Sequence, residues 1–368
     1  MRVILSGGGT GGHIYPAVSV AEALKRKYGS DVEILFVGAE GKMEMEKIPA
    51  LGYAIKGLPV AGLQRKLTPK NLLLPFKVAA SVRRAKRIIR EFRADIVVGF
   101  GGYASAPVLW AAQRLGVPTV IQEQNSYAGL TNKLLSKRAK RICVAYEGME
   151  RFFPAERIVM TGNPLRGRFT ADVGNRAEAL SFYGFNEVMP TILVVGGSLG
   201  TRTLNEMMKA WILTLKGEAP VQVIWQTGKF YEREMQEFLK AHPTKNIWQG
   251  AFIERMDYAY AASDVVISRS GACTVSELCL VAKPTIFVPS PNVAEDHQTK
   301  NAQALVARGA AEMVRDDEAV KRGMVEAVAL AGEEERLERL SANIAALAIA
   351  DAADRVVAVI EKELGMTL

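Results

Sequence analysis

Three things are scarce in this 368-residue chain, and each scarcity excludes something. Its cysteines, Cys143, Cys273 and Cys279, are odd in number and lack metal-type spacing; a disulfide framework or a zinc centre is not expected, and a reducing compartment is. Its histidines are also three, His13, His242 and His297, which leaves few groups that titrate near neutrality. No apolar run approaches the roughly 20 residues of a spanning helix, and the stretch after Arg2 is too short for a signal-peptide core. The expectation is a chain that stays in the cytoplasm. Acidic residues do not cluster in a metal-binding arrangement near the glycine-rich motifs, and no aromatic-interleaved recognition motif accompanies the basic residues. Neither a metal, another cofactor nor a nucleic-acid partner is expected.

What is present is an ordinary globular balance, 49% hydrophobic and 23% charged, in a chain longer than one core usually organises. Strand-like apolar runs at residues 32–37, 96–98, 119–121 and 142–144 alternate with helical patterns. The alternation resumes at 191–195, 222–226, 265–267 and 285–288. Such repetition implies an α/β fold with two parallel sheets wrapped by helices. The stretch TGNPLRGR at 161–168 reads as the hinge, giving domains at 1–163 and 164–341. A last helical pattern, about 342–364, fits either domain by sequence alone.

Each half opens with a strand pattern, a glycine-rich turn and a helix pattern: RVILS then GGGTGGH at 7–13, and TILVV then GGSLGT at 196–201. A helix beginning there aims unpaired N–H groups and its positive dipole end at the turn, which favours phosphate. Gly7, Gly9 and Gly12 satisfy the dinucleotide pattern G-x-G-x-x-G. The acid that should close the second strand and hold a ribose is misplaced, however, since Asp31 precedes that strand and Glu40 follows it too late. His13, at the exit of the first turn, is a candidate general base. His242 precedes a proline in a polar stretch and reads as surface, and His297 lies in AEDHQTKN at 294–301, just after a strand. The run SRSGACTVSE at 268–277 reads in two ways. It is either a phosphate turn whose Glu277 takes both hydroxyls of a ribose, or a helix capped by Ser270 with Glu277 solvated; spacing leaves both open.

GGGTGGHIYPA (7–17), GFGGYASAP (99–107), EQNSYAGLTNK (123–133), TGNPLR (161–166), GGSLG (196–200), RSGACTVSE (269–277) and DHQTKNA (296–302) stand in one order along nearly the whole chain. In this combination the chain resembles the bacterial peptidoglycan glycosyltransferases that add N-acetylglucosamine to undecaprenyl-diphospho-N-acetylmuramoyl-pentapeptide, converting lipid I to lipid II. The resemblance implies the GT-B architecture: two Rossmann-like doubly wound parallel-sheet domains facing a central cleft, with a C-terminal helix within 342–368 crossing back to the first domain. It implies UDP-N-acetylglucosamine as donor and lipid I as acceptor. On the donor side it implies backbone contacts from Ile253 to uracil and the ribose on Glu277. It sets the diphosphate against Ser198 and the turn of Ala272, Cys273, Thr274, Val275 and Ser276, with Arg166 adding charge. Gln298 and Asn301 would read the sugar hydroxyls. Thr10, Gly11, Gly12 and Asn125 would meet the donor from the other wall. Gly101, Gly102 and Tyr103 would lie on the acceptor side, and His13 would be the base for the acceptor's 4-hydroxyl. Two positions depart from the family's pattern: Leu199 stands where glutamine is frequent, and Thr299 follows Gln298 where some relatives have a second glutamine. Other readings are a GT-B transferase for a different lipid acceptor, a UDP-sugar epimerase, a nicotinamide oxidoreductase, or a non-catalytic adaptor.

Charge is the last feature. Residues 65–93 hold ten Lys/Arg against the single acid Glu91, a net +9 in a chain whose total is +8. Leu72, Leu73, Leu74 and Phe76 precede a helical stretch with Val78, Val82, Ala85, Ile89 and Phe92 at spacings of threes and fours and cations such as Arg83, Arg84 and Arg87 between them. For most proteins this is a packed helix with a solvated basic face. For an acceptor in an anionic bilayer it suits reversible attachment to the cytoplasmic face of the plasma (inner) membrane, beside proteins of the wall and division machinery.

Overall fold

Every strand pairing found is parallel, and the strands form two separate sheets. The computed structural model describes residues 1–60, 74–165, 174–197 and 199–366. The chain divides into two compact units, Met1–Gly167 with Asp351–Leu368, and Arg168–Ala350.

Unit 1 runs β1 (Arg2–Ser6), α1 (Gly11–Tyr28), β2 (Glu33–Ala39), α2 (Glu44–Ala50), β3 (Ala54–Leu58), α3 (Leu74–Phe92), β4 (Ile96–Gly99), α4 (Gly102–Leu115), β5 (Thr119–Glu123), α5 (Leu130–Leu135), β6 (Arg141–Val144) and β7 (Ile158–Met160). The sheet order is β3-β2-β1-β4-β5-β6-β7. Unit 2 runs α6 (Arg176–Phe182), β8 (Thr191–Val195), α7 (Arg202–Ile212), β9 (Glu218–Gln226), α8 (Glu232–Ala241), β10 (Lys245–Gly250), α9 (Met256–Ala262), β11 (Val265–Ser268), α10 (Ala272–Leu280), β12 (Thr285–Phe287), α11 (His297–Val306), β13 (Glu312–Met313), α12 (Asp316–Ala331) and α13 (Glu334–Ala345). Its order is β10-β9-β8-β11-β12-β13. The chain ends in α14 (Ala352–Glu363).

Central strands are apolar throughout because helices cover both faces. On β1, Val3 and Leu5 enter one core layer with α1 while Ile4 enters the other with α3 and α4, and all three are fully buried. The helical pattern expected over 342–364 is two helices, α13 and α14, separated by residues 346–351. α14 belongs to unit 1, where Val356, Val357, Val359 and Ile360 join the α1 core layer. Polar contacts pin it there. Glu361 accepts from Tyr28 Oη at 2.6 Å and pairs with Lys27 Nζ at 2.6 Å. Burial works against its ionised form, yet the bonds from Lys27 and Tyr28 hold its carboxyl below the usual carboxylate range. Tyr28→Phe is therefore expected to cost about 1 kcal/mol of unit 1 stability, read as a lowered midpoint in urea.

In α3, Val82, Ala85 and Ile89 are buried in the core layer over β1 and β4, not displayed as an apolar stripe. Arg83, Arg84 and Arg87 are exposed, and Arg84 Nη1 pairs with Glu40 Oε1 at 2.6 Å. From Val82 onward the helix is a packed one with a solvated basic face. Of the expected membrane residues, Leu72 and Leu73 lie outside the described residues, and the backbone of Leu74 and Phe76 forms the start of α3.

Candidate active site

In an open parallel sheet the strand order reverses at one point, and the loops leaving the two strands there diverge and open a crevice at their carboxyl ends. In unit 1 that point lies between β1 and β4, and in unit 2 between β8 and β11. The loops leaving those four strands are residues 7–10, 100–101, 196–201 and 269–271. They carry Thr10 and Gly101, and the helices they lead into open with Gly11, Gly12 and His13 in α1, Gly102 and Tyr103 in α4, and Ala272 to Glu277 in α10.

In unit 1, Thr10 is the N-cap residue of α1, yet no side chain caps the helix. Its Oγ1 lies 3.1 Å from His13 Nδ1, which is also 3.2 Å from the carbonyl oxygen of Gly8. A carbonyl can only accept, so Nδ1 carries the proton of the neutral ring and Nε2 keeps its lone pair. The β4–α4 loop passes close by. Gly102, at φ +76°, has room for no side chain, since a Cβ would fall 2.4 Å from the Gly8 oxygen. Likewise a Cβ on Gly101 would lie 3.2 Å from His13 Nε2. Tyr103 sits in the first turn of α4, where burial, then the charge of Glu44, push its phenol up.

Two buried carboxylates hold these loops, and neither was singled out by sequence. Glu44, 1% exposed, accepts from Gly9 N at 3.2 Å and Ala39 N at 3.0 Å. Glu123, at the end of β5, accepts from Asn125 N at 3.1 Å and Nδ2 at 3.2 Å, Gly129 N at 3.0 Å and Asn132 Nδ2 at 2.8 Å. Asn125 thus reaches its place through Glu123. The only signal for Glu123 was its position at a strand end within EQNSYAGLTNK; Glu44 looks like its neighbour Glu46.

In unit 2 the turn after β8 is locked by Thr201 Oγ1 donating to Gly196 O at 2.8 Å and by Gly200 N donating to Gly197 O at 3.0 Å. Ser198 lies outside the described residues, as does Arg166. At β11 the capped-helix reading does not hold. The N-cap residue of α10 is Gly271, with no side-chain cap, and the Ser270 hydroxyl donates to Gln298 O at 2.8 Å. The first N–H groups of α10, at Ala272, Cys273 and Thr274, are thus left for an anion. One turn on, Glu277 is not solvated: burial pushes its carboxyl up to about 7, against a hydrogen bond from Tyr260. Ser276 Oγ turns back to Ala272 O at 3.1 Å, and Val275 is buried.

Three expected donor contacts are already engaged in part. The Ile253 N–H donates to Gln226 Oε1 at 3.0 Å, which leaves its carbonyl for a base. Gln298 Oε1 accepts from Ser290 N at 2.9 Å, which leaves its amide nitrogen. Asn301, 1% exposed, donates to Ser270 O at 3.2 Å. Just before them, Glu295 and Asp296 both adopt φ +53°, the left-handed region that non-glycine residues enter at a cost. His297, next in the chain, approaches Glu295 at 3.4 Å.

Among the described residues no helix is long and apolar enough to cross a membrane. Sequence reasoning also passed over Trp110, which is 40% exposed on α4 with the Lys86 ammonium 6.0 Å and the Arg114 guanidinium 5.0 Å from its ring centre.

The glycosyltransferase family 28 N-terminal domain matches residues 3–144, and the family 28 C-terminal domain matches residues 191–356. A UDP-N-acetylglucosamine–N-acetylmuramyl-(pentapeptide) pyrophosphoryl-undecaprenol N-acetylglucosamine transferase of Parabacteroides distasonis is 54% identical, covering 97% of this chain and 96% of that protein. One of the same name from Cytophaga hutchinsonii is 53% identical, over 97% and 95%. Among solved structures, Acinetobacter baumannii MurG superposes with a TM-score of 0.78 at 30% identity, covering 98% of this chain and 99% of that one. The expected GT-B pair of Rossmann-like domains is the fold found, and the chain belongs to the family 28 glycosyltransferases, within them to the undecaprenyl-linked N-acetylglucosamine transferases.

Proposed function

We propose that this enzyme moves N-acetylglucosamine from UDP-N-acetylglucosamine to the 4-hydroxyl of undecaprenyl-diphospho-N-acetylmuramoyl-pentapeptide, forming lipid II for peptidoglycan. The observation that carries the reading is the 54% identity, over nearly full length, to a transferase named for that acceptor. The site chemistry agrees with it. Unit 2 offers an uncapped helix end for a diphosphate and a carboxylate one turn away for a ribose. Unit 1 offers a histidine whose Nδ1 is held by the carbonyl of Gly8.

The step is an inverting displacement. His13 Nε2 takes the proton of the acceptor hydroxyl, whose oxygen bonds the anomeric carbon from the face opposite the leaving group. The bond from that carbon to the diphosphate breaks, its electron pair leaves with UDP, and an α-linked donor yields a β-linked product. Charge growing on UDP is met by the first N–H groups of α10, the turn at 196–201 with Ser198, and Arg166. Ile253 and Glu277 hold the nucleoside, and Gln298 and Asn301 face the sugar. Thr10, Gly11, Gly12 and Asn125 complete the donor contacts, and Gly101, Gly102 and Tyr103 the acceptor side.

The enzyme works as a peripheral protein on the cytoplasmic face of the plasma membrane, near proteins of wall synthesis and division. The basic face of α3 and the half-exposed Trp110 between Lys86 and Arg114 support attachment to an anionic bilayer. Incubation with radiolabelled UDP-N-acetylglucosamine and a short-chain lipid I analogue is expected to carry label into the lipid fraction. Label that reaches another sugar nucleotide with no lipid present would instead identify an epimerase.

A further inference from the structure

The buried carboxylate of Glu44 has no part in the transfer as written, yet it lies one peptide group from the base. Its Oε2 accepts the N–H of Gly9 at 3.2 Å, and the carbonyl of the same peptide unit, that of Gly8, accepts from His13 Nδ1 at 3.2 Å. In a trans peptide the N–H and C=O point in opposite directions. Carboxylate, peptide and imidazole therefore form one head-to-tail chain, each hydrogen bond polarising the next. We propose that Glu44 is a positioning residue for His13, acting through the Gly8–Gly9 peptide to fix the Nδ1–H tautomer and raise the basicity of Nε2. The arrangement is like a carboxylate–histidine pair in which a backbone amide is interposed.

The surroundings are built to this purpose. Glu44 Oε1 is tied to Ala39 N at the end of β2, so the carboxylate cannot rotate away without stranding a buried N–H. Gly8 has no room for a side chain because the carboxylate fills that space: a Cβ there would sit 2.1 Å from Glu44 Oε1. Gly38 is constrained from the other side, where a Cβ would lie 2.6 Å from Glu44 Cγ. A side chain on Gly102 in α4 would collide with the same carbonyl. The ionisable neighbours are few. Tyr103 on α4 feels the charge of Glu44, and Glu123 at the end of β5 binds Asn132 on α5, whose amide comes up to Gly101 beside the His13 ring. Neither replaces the chain through the peptide. One N–H of the glycine turn is consequently spent on a protein carboxylate, which makes this turn a seat for the base more than a phosphate cradle.

The inference rests on His13 being the base, and the test separates the two. The three histidines give a ¹⁵N-histidine spectrum in which His13 is assigned by its loss in His13→Ala. In full-length Glu44→Gln, the His13 midpoint is expected to fall by about one pH unit, because the relayed negative charge no longer favours imidazolium. The Nε2–H tautomer is expected to gain intensity. Turnover should drop on the order of 10- to 100-fold with the donor KM within about twofold, the pattern of a misplaced group that does not bind the donor. A folded Glu44→Gln with an unchanged His13 midpoint and tautomer overturns the proposal, even if its turnover falls. If that variant does not fold, the unaltered protein gives the answer: the Gly9 amide must shift with the midpoint of His13, and a Gly9 amide indifferent to that titration overturns it. Unchanged turnover in His13→Ala would instead remove the base reading and leave the hydrogen-bond chain to be judged by the spectra alone.

Discussion

His13→Ala is expected to lower turnover by about 10² to 10⁴ while the affinity for UDP stays as it was, since general-base assistance is worth about that much. The expectation follows from where the ring is held. Nδ1 is held by Gly8 O and Thr10 Oγ1, so the ring cannot turn its basic nitrogen inward. The residues proposed for uracil, ribose and diphosphate are almost all in unit 2, so removing an imidazole from unit 1 leaves nucleotide binding alone. Turnover and the UDP dissociation constant measured on the same preparation would separate the two effects. Unchanged turnover would end the assignment, and an equal loss in both would make His13 a binding residue.

How far the sequence could be read follows strand burial. The five inner strands of the first sheet and the four of the second were legible as apolar runs or, for β1 and β8, as the run before a glycine turn. Residues such as Ile192, Leu193 and Val194 are wholly buried between helices and carry no polar alternation. The strands that went unread, β3, β7, β10 and β13, are the four sheet edges. AIKGL and KNIWQG mix polar with apolar residues because an edge strand is covered less completely, and β13 is only Glu312–Met313. The same logic applies to α3. A helix buries one face whether that face meets a sheet or a bilayer, and periodicity cannot say which. The glycine turns were legible because backbone that must pass close to other protein atoms needs glycine, and His13 stood at the exit of one of them. Glu44 and Glu123 were not, since a buried carboxylate satisfied by backbone N–H groups carries no side-chain pattern to find. Nor could spacing choose between a capped and an uncapped α10, a matter decided by the Ser270 hydroxyl turning to Gln298 O.

The donor KM should rise as pH falls, by about tenfold per unit below pH 7, because Glu277 must be ionised to accept two ribose hydroxyls. Burial has pushed its carboxyl up to about 7 from an ordinary 4.5. Between those values the empty folded protein holds a proton that the unfolded chain does not, so the contribution of Glu277 to stability is fully present below pH 4.5 and is lost as pH rises through 7. Above pH 7 the free enzyme carries a buried anion bonded by Tyr260, to which the ribose hydroxyls would add donors. The added thermal stability from a fixed concentration of UDP-N-acetylglucosamine should accordingly be larger at pH 8 than at pH 6. Glu277→Gln removes the charge and turns one acceptor into a donor. Its donor KM is expected to rise by about 3 kcal/mol, on the order of 100-fold, and to lose its pH dependence in this range. A wild-type donor KM that is flat from pH 6 to 8, or a Glu277→Gln enzyme with the parent's slope, would assign the ribose contact to another residue.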